Sequence, residues 1–172
     1  MDTGKNKTKV HNQYQAAVLT ISTSCSRGER DDVSGRILQE LVRKAGLEIV
    51  EIAIIPDDRE IIRKKLIIFS DESDVDIILT TGGTGPGPYD LTPEATAAVC
   101  PRLIPGIGEL MRAEGGKKTL RAYLSRGIAG IRGNTLIVNL PGSPRAVRES
   151  MEAISGILIH ALKMIAGGGH DD

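Results

Sequence analysis

Apolar positions along the chain fall into two alternating rhythms. Short, nearly continuous apolar runs at Ala16–Ser22, Glu48–Ile55 and Val75–Thr80 read as strands. Between them the spacing becomes helical. Ile37, Leu38, Leu41, Val42 and Ala45 recur on one face, with Gly46 as the stop, after a polar loop Cys25–Asp32 whose Asp32 can cap the helix. Ile61, Ile62, Leu66 and Phe69 give a second amphipathic helix after Pro56-Asp57-Asp58. Thr92-Pro93 pairs an N-cap with proline at the first helical position, predicting a helix to about Val99. Pro105–Met111 predicts a loop entering a short helix. Ile128–Ile131 and Thr135–Asn139 flank Gly133-Asn134, a two-residue hairpin signal. Ser143-Pro144 opens a long helix with Val147, Met151, Ile154, Leu158 and Leu162 on one stripe.

This alternation predicts parallel βαβ units in an α/β fold, with a mostly parallel sheet and one antiparallel edge hairpin. No internal repeat or domain boundary interrupts it. The expectation is one domain over residues 16–166, with flexible ends at 1–15 and 167–172.

Composition narrows the function classes. Lys plus Arg equals Asp plus Glu at 22 each, so no basic footprint for nucleic acid is present. Three Tyr, one Phe and no Trp leave few platforms for stacking bases. Neither a signal-peptide core nor a membrane-length apolar window occurs, and Cys25 and Cys100 match no metal or redox spacing. A cytoplasmic protein with reduced thiols is the expectation. His11, His160 and His170 are too scattered to form a ligand cluster.

The candidate chemistry lies at the strand ends. Leu79-Thr80-Thr81-Gly82-Gly83-Thr84-Gly85-Pro86-Gly87-Pro88-Tyr89-Asp90 leaves a strand, packs four glycines into six residues, delivers an acid and enters a helix. Backbone amides of such a turn favour an anion, although the lysine of a P-loop is missing. Ser22-Thr23-Ser24, Pro56-Asp57-Asp58 and Asn139–Ser143 also follow strands, and ligands of open α/β sheets bind on that rim. Asp57 and Asp90 beside a nest of amides suit a Mg²⁺-nucleotide. Each piece also has a plainer use. Asp57 or Asp58 can cap a helix, Asp90 can close an Asx turn, and Ser143-Pro144 can be only a helix start. Arg27, Arg30, Arg126 and Arg145 read as solvated cations, with one or two available to a phosphate. Both cysteines and His160 read as packing residues.

Taken in order, Pro56-Asp57-Asp58, Leu79–Gly85, Asp90-Leu-Thr-Pro-Glu94, Pro105-Gly-Ile-Gly-Glu109, Leu124-Ser-Arg126 and Asn139–Pro144 closely resemble the molybdopterin adenylyltransferase family, which includes molybdenum cofactor biosynthesis protein B and gephyrin-like G domains. The resemblance spans Ala16 to Ile165. It implies a three-layer α/β/α sandwich, usually a homotrimer, that uses Mg²⁺ and ATP to adenylylate molybdopterin before a partner protein inserts molybdate. It places the two functional acids, also the Mg²⁺ ligands, on Asp57 and Asp90. Its substrate contacts fall on Ser22, Thr81, Gly82, Gly83, Thr84, Gly85, Ser125, Asn139, Pro141, Gly142 and Ser143. Two positions depart from the family pattern: Tyr89 stands where an arginine is usual, and Thr23 where an aspartate is usual. A phenol supplies neither the charge nor the fork of a guanidinium. Two other functions compete: a member that binds the pterin without transfer, and a nucleotide pyrophosphatase of the competence-damage type.

Overall fold

The computed structural model describes residues 13–168; the outer segments 1–12 and 169–172, which hold most of the ends expected to be flexible, lie outside the described residues. The strands are β1 Gln15–Ile21, β2 Glu48–Ile55, β3 Ile77–Thr81, β4 Arg102–Leu103, β5 Ala129–Arg132 and β6 Thr135–Leu140. They form one six-stranded sheet in the order β2-β1-β3-β6-β5-β4. The first three and β6 run parallel, while β5 and β4 complete an antiparallel edge. Strands β1, β3 and β6 sit inside the sheet with both faces covered, which is why their sequences are apolar without alternation.

Helices cover the two faces. α2 (Val33–Lys44), α5 (Pro105–Gly116) and α6 (Pro144–Ile165) close one side over Val18, Leu79, Leu136, Val138, Met151 and Leu158. On the other side, α3 (Arg59–Asp71) and α4 (Thr92–Val99) cover Leu19, Ile62, Leu66, Ile78, Ala95 and Ile137. These are the three layers that the resemblance implies.

Most boundaries follow the hydrophobic rhythm, and the departures have local causes. The first two residues of the segment expected to be loop, Cys25 and Ser26, belong to one helical turn, α1 (Thr23–Ser26), because the Ser22 hydroxyl accepts from the Cys25 N–H. Thr92 is not the N-cap of α4. Leu91 holds that position without a side-chain bond, and the buried Thr92 hydroxyl donates to the Gly82 carbonyl at 2.9 Å. The expected loop at Pro105 is helix from its first residue. Two of its glycines are packing contacts: a Cβ on Gly108 would meet the Gly127 carbonyl at 2.8 Å, and one on Gly115 would meet Ala122 at 2.9 Å. That close approach seats the 3₁₀ turn Leu120–Leu124, an element the hydrophobic pattern does not signal.

Candidate functional site

The chain crosses from β2 back past β1 to β3, so the sheet's switch point lies between β1 and β3. Four segments meet beyond it: Ser22 after β1, Asp57 after β2, Gly82–Gly83 after β3, and Gly142–Ser143 after β6. Backbone geometry requires glycine here. Gly82 has φ +102° and its absent Cβ would collide with the Ile21 carbonyl oxygen. Gly83 has φ +63°, and a Cβ there would collide with Thr92 Oγ1. Gly142 approaches Gly82 so closely that its Cβ would lie 3.2 Å from the Gly82 Cα. Thr81 Oγ1 donates to the Pro141 carbonyl at 2.7 Å, and Ser34 Oγ donates to the Gly142 carbonyl at 2.7 Å, which fixes the β6–α6 loop against β3 and α2.

The two expected acids are held differently. Asp58, not Asp57, caps α3, accepting from Glu60 and Ile61 N–H. Asp57 is thereby released to the rim. Its Oδ2 accepts from Thr23 N–H at 2.7 Å and Thr23 Oγ1 at 2.8 Å, while Asp57 N–H donates back to Thr23 Oγ1 at 3.0 Å. Thr23 thus orients the acid. Asp90 is half-buried beneath its own loop rather than closing an Asx turn onto α4. Its Oδ2 accepts from the preceding Gly87 N–H at 2.9 Å, and side chains at Gly85 or Gly87 would strike this oxygen at 2.7 Å. Both acids engage their donors through Oδ2, leaving Oδ1 without a bond among the described residues.

Arg126, expected to be a solvated cation, is built into the site. Its Nε donates to the Gly85 carbonyl at 2.8 Å, and its Nη2 donates to the Asp90 carbonyl. Nη1 and Nη2 form a two-pronged ion pair with Glu94 on α4. Its backbone N–H donates to the Thr84 carbonyl at 2.8 Å. One residue therefore ties both ends of the glycine loop to a helix. The Arg126 hydrogen bond holds the Glu94 carboxyl below its usual range, and Glu94 raises the guanidinium in turn. Spacing gives no sign of this role; only membership in the Leu124-Ser-Arg126 motif points to it.

Two cavities adjoin at Gly142 and Ser143. The larger, about 620 Å³, is lined by Ser22, Asp57, Thr81, Gly82 and Gly83, together with Thr20, Cys25, Arg30, Asp31, Asp32, Val33 and Ser34. The smaller, about 420 Å³, is lined by Thr84, Gly85, Ser125 and Pro141, and by Pro86, Met111, Arg112, Arg121, Ala122 and Leu124. The glycine loop thus contributes its first half to one cavity and its second half to the other. Of the expected contacts, Asn139 lies elsewhere. It is fully buried, and its Nδ2 donates to Thr80 Oγ1 at 3.2 Å and Thr96 Oγ1 at 2.9 Å, joining β3, β6 and α4. Asp90 lines neither cavity; it supports the loop that lines both. Thr20 and Ser34 give no signal in the sequence because both sit inside ordinary strand and helix patterns. Thr20 Oγ1 donates to Asp32 Oδ2 at 2.7 Å, while Asp32 Oδ1 takes the Gly35 N–H and caps α2.

Burial pushes the Cys100 thiol up to about 11, which removes it as a nucleophile. Among the described residues no group of three or more His, Cys, Asp and Glu side chains is placed to hold a metal ion. No described helix is long and apolar enough to cross a membrane.

Comparison with known proteins gives a consistent result. A family model described as a probable molybdopterin binding domain matches residues 17–160. The molybdopterin adenylyltransferase of Helicobacter pylori strain J99 is 43% identical over 152 residues, covering 87% of this chain and 86% of that protein. The molybdopterin adenylyltransferase of Escherichia coli K12 is 36% identical over 157 residues, covering 88% and 80%. The crystal structure of the molybdopterin biosynthesis enzyme MoaB from Thermus thermophilus superposes with a TM-score of 0.86 at 44% identity, covering 90% of this chain and 98% of that one.

Proposed function

Because the chain belongs to the molybdopterin-binding domain family, we propose that it is a molybdopterin adenylyltransferase that uses ATP and Mg²⁺ in molybdenum cofactor biosynthesis. The observation that carries this reading is the pair of cavities meeting at Gly142–Ser143, with one glycine loop lining both. A two-substrate transfer needs its reactants held end to end, and a shared wall of backbone amides suits the phosphates where they meet.

In the reaction, a terminal phosphate oxygen of molybdopterin attacks the α-phosphorus of ATP. The bond from that phosphorus to the bridging oxygen breaks, and pyrophosphate leaves. Little covalent work falls to the protein, so positioning and charge neutralisation dominate. Gly82–Gly85 and Pro141–Ser143 supply the contacts that position the phosphates. Thr23 fixes Asp57 with one carboxylate oxygen directed to other partners. Arg126 and Asp90 hold the loop in shape from below.

The residues present fit Mg²⁺ only as an ion shared with substrate. Among the described residues there is no all-protein cage, but Asp57 lines the larger cavity with Oδ1 unbonded, and Mg²⁺ is commonly held by one or two carboxylates plus substrate phosphates. Asp90 lies outside both cavities, so Asp57 is the carboxylate placed to share the ion. Bound there, it would offset the charge of the departing pyrophosphate.

We further assign the chain to a homotrimer that acts in the cytoplasm and passes its product to a molybdate-insertion protein. Two observations support the first two points: Val50, Ile52 and Ile54 leave edge strand β2 with an apolar exposed strip, and both described cysteines are free thiols.

The test is Asp57→Asn beside Asp90→Asn. Pyrophosphate release falls by roughly a hundredfold for Asp57→Asn, the scale of losing one charge-stabilising group. Molybdopterin binding, followed by the pterin's fluorescence, stays within a few-fold. Loss of binding with unchanged turnover per bound pterin would instead make the acid part of the pocket wall.

A further inference from the structure

Resting on the adenylyltransferase reading, we propose that Arg30 is the cation that contacts a substrate phosphate in the larger cavity, which it lines beside Ser22, Gly82 and Ser143.

Five other arginines near the rim are engaged, and Arg121, whose side chain has no partner among the described residues, lines the smaller cavity instead. The Arg126 guanidinium is consumed by Glu94 and two loop carbonyl groups. Arg112 donates to the Ser125 and Gly127 carbonyls. Arg145 pairs with Glu149, Arg36 lies 3.5 Å from Asp31, and Arg27 lies 4.0 Å from Glu29. Arg30 makes no hydrogen bond or ion pair with any described residue, and it is the one cation among the described residues lining the larger cavity.

The surrounding charge gives that cation a use. Asp31, Asp32 and Asp57 also line this cavity, and Arg30 offsets negative charge that would oppose a phosphate there. None of the three pairs with Arg30. Asp32 is bound to Thr20 and Gly35, Asp57 to Thr23, and Asp31 is shared with Arg36. The loop is also turned to present it. Gly28 takes φ +72°, its N–H donates to the Cys25 carbonyl at 3.0 Å, and the Glu29 N–H donates to the Ser24 carbonyl at 2.9 Å. The chain thereby doubles back from α1 and brings Arg30 to the cavity. A Cβ at Gly28 would meet nothing within 4 Å, so the backbone turn alone demands glycine there.

The ligand class is a phosphate monoester or polyphosphate, from either substrate. The experiment measures binding of MgATP, molybdopterin and inorganic pyrophosphate to wild type, Arg30→Gln, Arg30→Lys and Gly28→Ala, at low and high salt. Arg30→Gln weakens at least one of the three on the order of tenfold, as expected for a lost charge-assisted hydrogen bond. Arg30→Lys keeps the charge but not the fork and loses roughly threefold. Gly28→Ala weakens the same ligand, and the wild-type advantage shrinks in high salt. The weakened ligand identifies the source of the phosphate. Equal affinities of wild type and Arg30→Gln for all three, or no binding by wild type, would overturn the proposal. Failure of the transferase reading is distinguishable, because wild type would then bind these ligands without releasing pyrophosphate.

Discussion

Gly82 and Thr23 show how single residues set the rim. Gly82 combines left-handed backbone with contact against the Ile21 carbonyl, so Gly82→Ala meets both strain and collision. The expected cost is roughly 2 kcal/mol or more, read as a lower urea midpoint with an unchanged slope. Gly133 also has a positive φ but open space around it, and Gly133→Ala costs less. Thr23 acts on chemistry instead. Thr23→Val removes one of two donors to Asp57 Oδ2 and leaves the backbone N–H in place. Stability changes by about 1 kcal/mol, while pyrophosphate release drops several-fold because Asp57 is less fixed. A variant with full turnover would show that the backbone donor alone orients the acid.

At the scale of elements, Arg126 joins the glycine loop to α4, and the pairing carries a pH signature. Glu94 is held below its ordinary 4.5 by Arg126, so its contribution is complete above that value in the folded protein. It is lost as pH falls through the depressed folded value, below 4.5, because protonation removes the partner of Arg126. Both side chains are about 40% exposed, so solvent limits the effect to roughly 0.5 kcal/mol. Glu94→Gln therefore lowers the urea midpoint at pH 7, and its difference from wild type shrinks as pH is lowered below 4.5. Equal midpoints at pH 7 would contradict the clamp.

The same elements explain what can be read from the sequence. Strands β1, β2 and β3 and helices α2, α3 and α6 follow hydrophobic rhythms strong enough to be legible directly. The start of α5 escapes the pattern because Gly106 and Gly108 suggest a loop, whereas close packing on Gly127 selects the second of them. The site divides likewise. Asp57 and the glycine loop stand out by position after strands, but Asn139 and Arg126 cannot be assigned their roles without their partners. One reaches across to Thr80 and Thr96, the other to Gly85 and Glu94, and both contacts depend on chain segments far apart in sequence.

For the whole molecule, edge strand β2 is the least covered part of the sheet's parallel side. Ile52 is 51% exposed, with Val50 and Ile54 beside it. An apolar edge of this kind invites pairing unless another chain covers it. Static light scattering at micromolar concentration is expected to give three times the chain's 18.4 kDa mass, and Ile52→Asp to shift it toward the monomer. A monomeric wild type would reject the trimer assignment and leave the site within each chain untouched.

Pyrophosphate release from MgATP, measured with the purified protein with and without molybdopterin, tests the central claim most directly. Release that requires molybdopterin, and that Asp57→Asn cuts by roughly a hundredfold, is the expected result. Molybdopterin binding with no release under the same conditions would contradict it, and would make the two adjoining cavities a pterin carrier rather than a transferase.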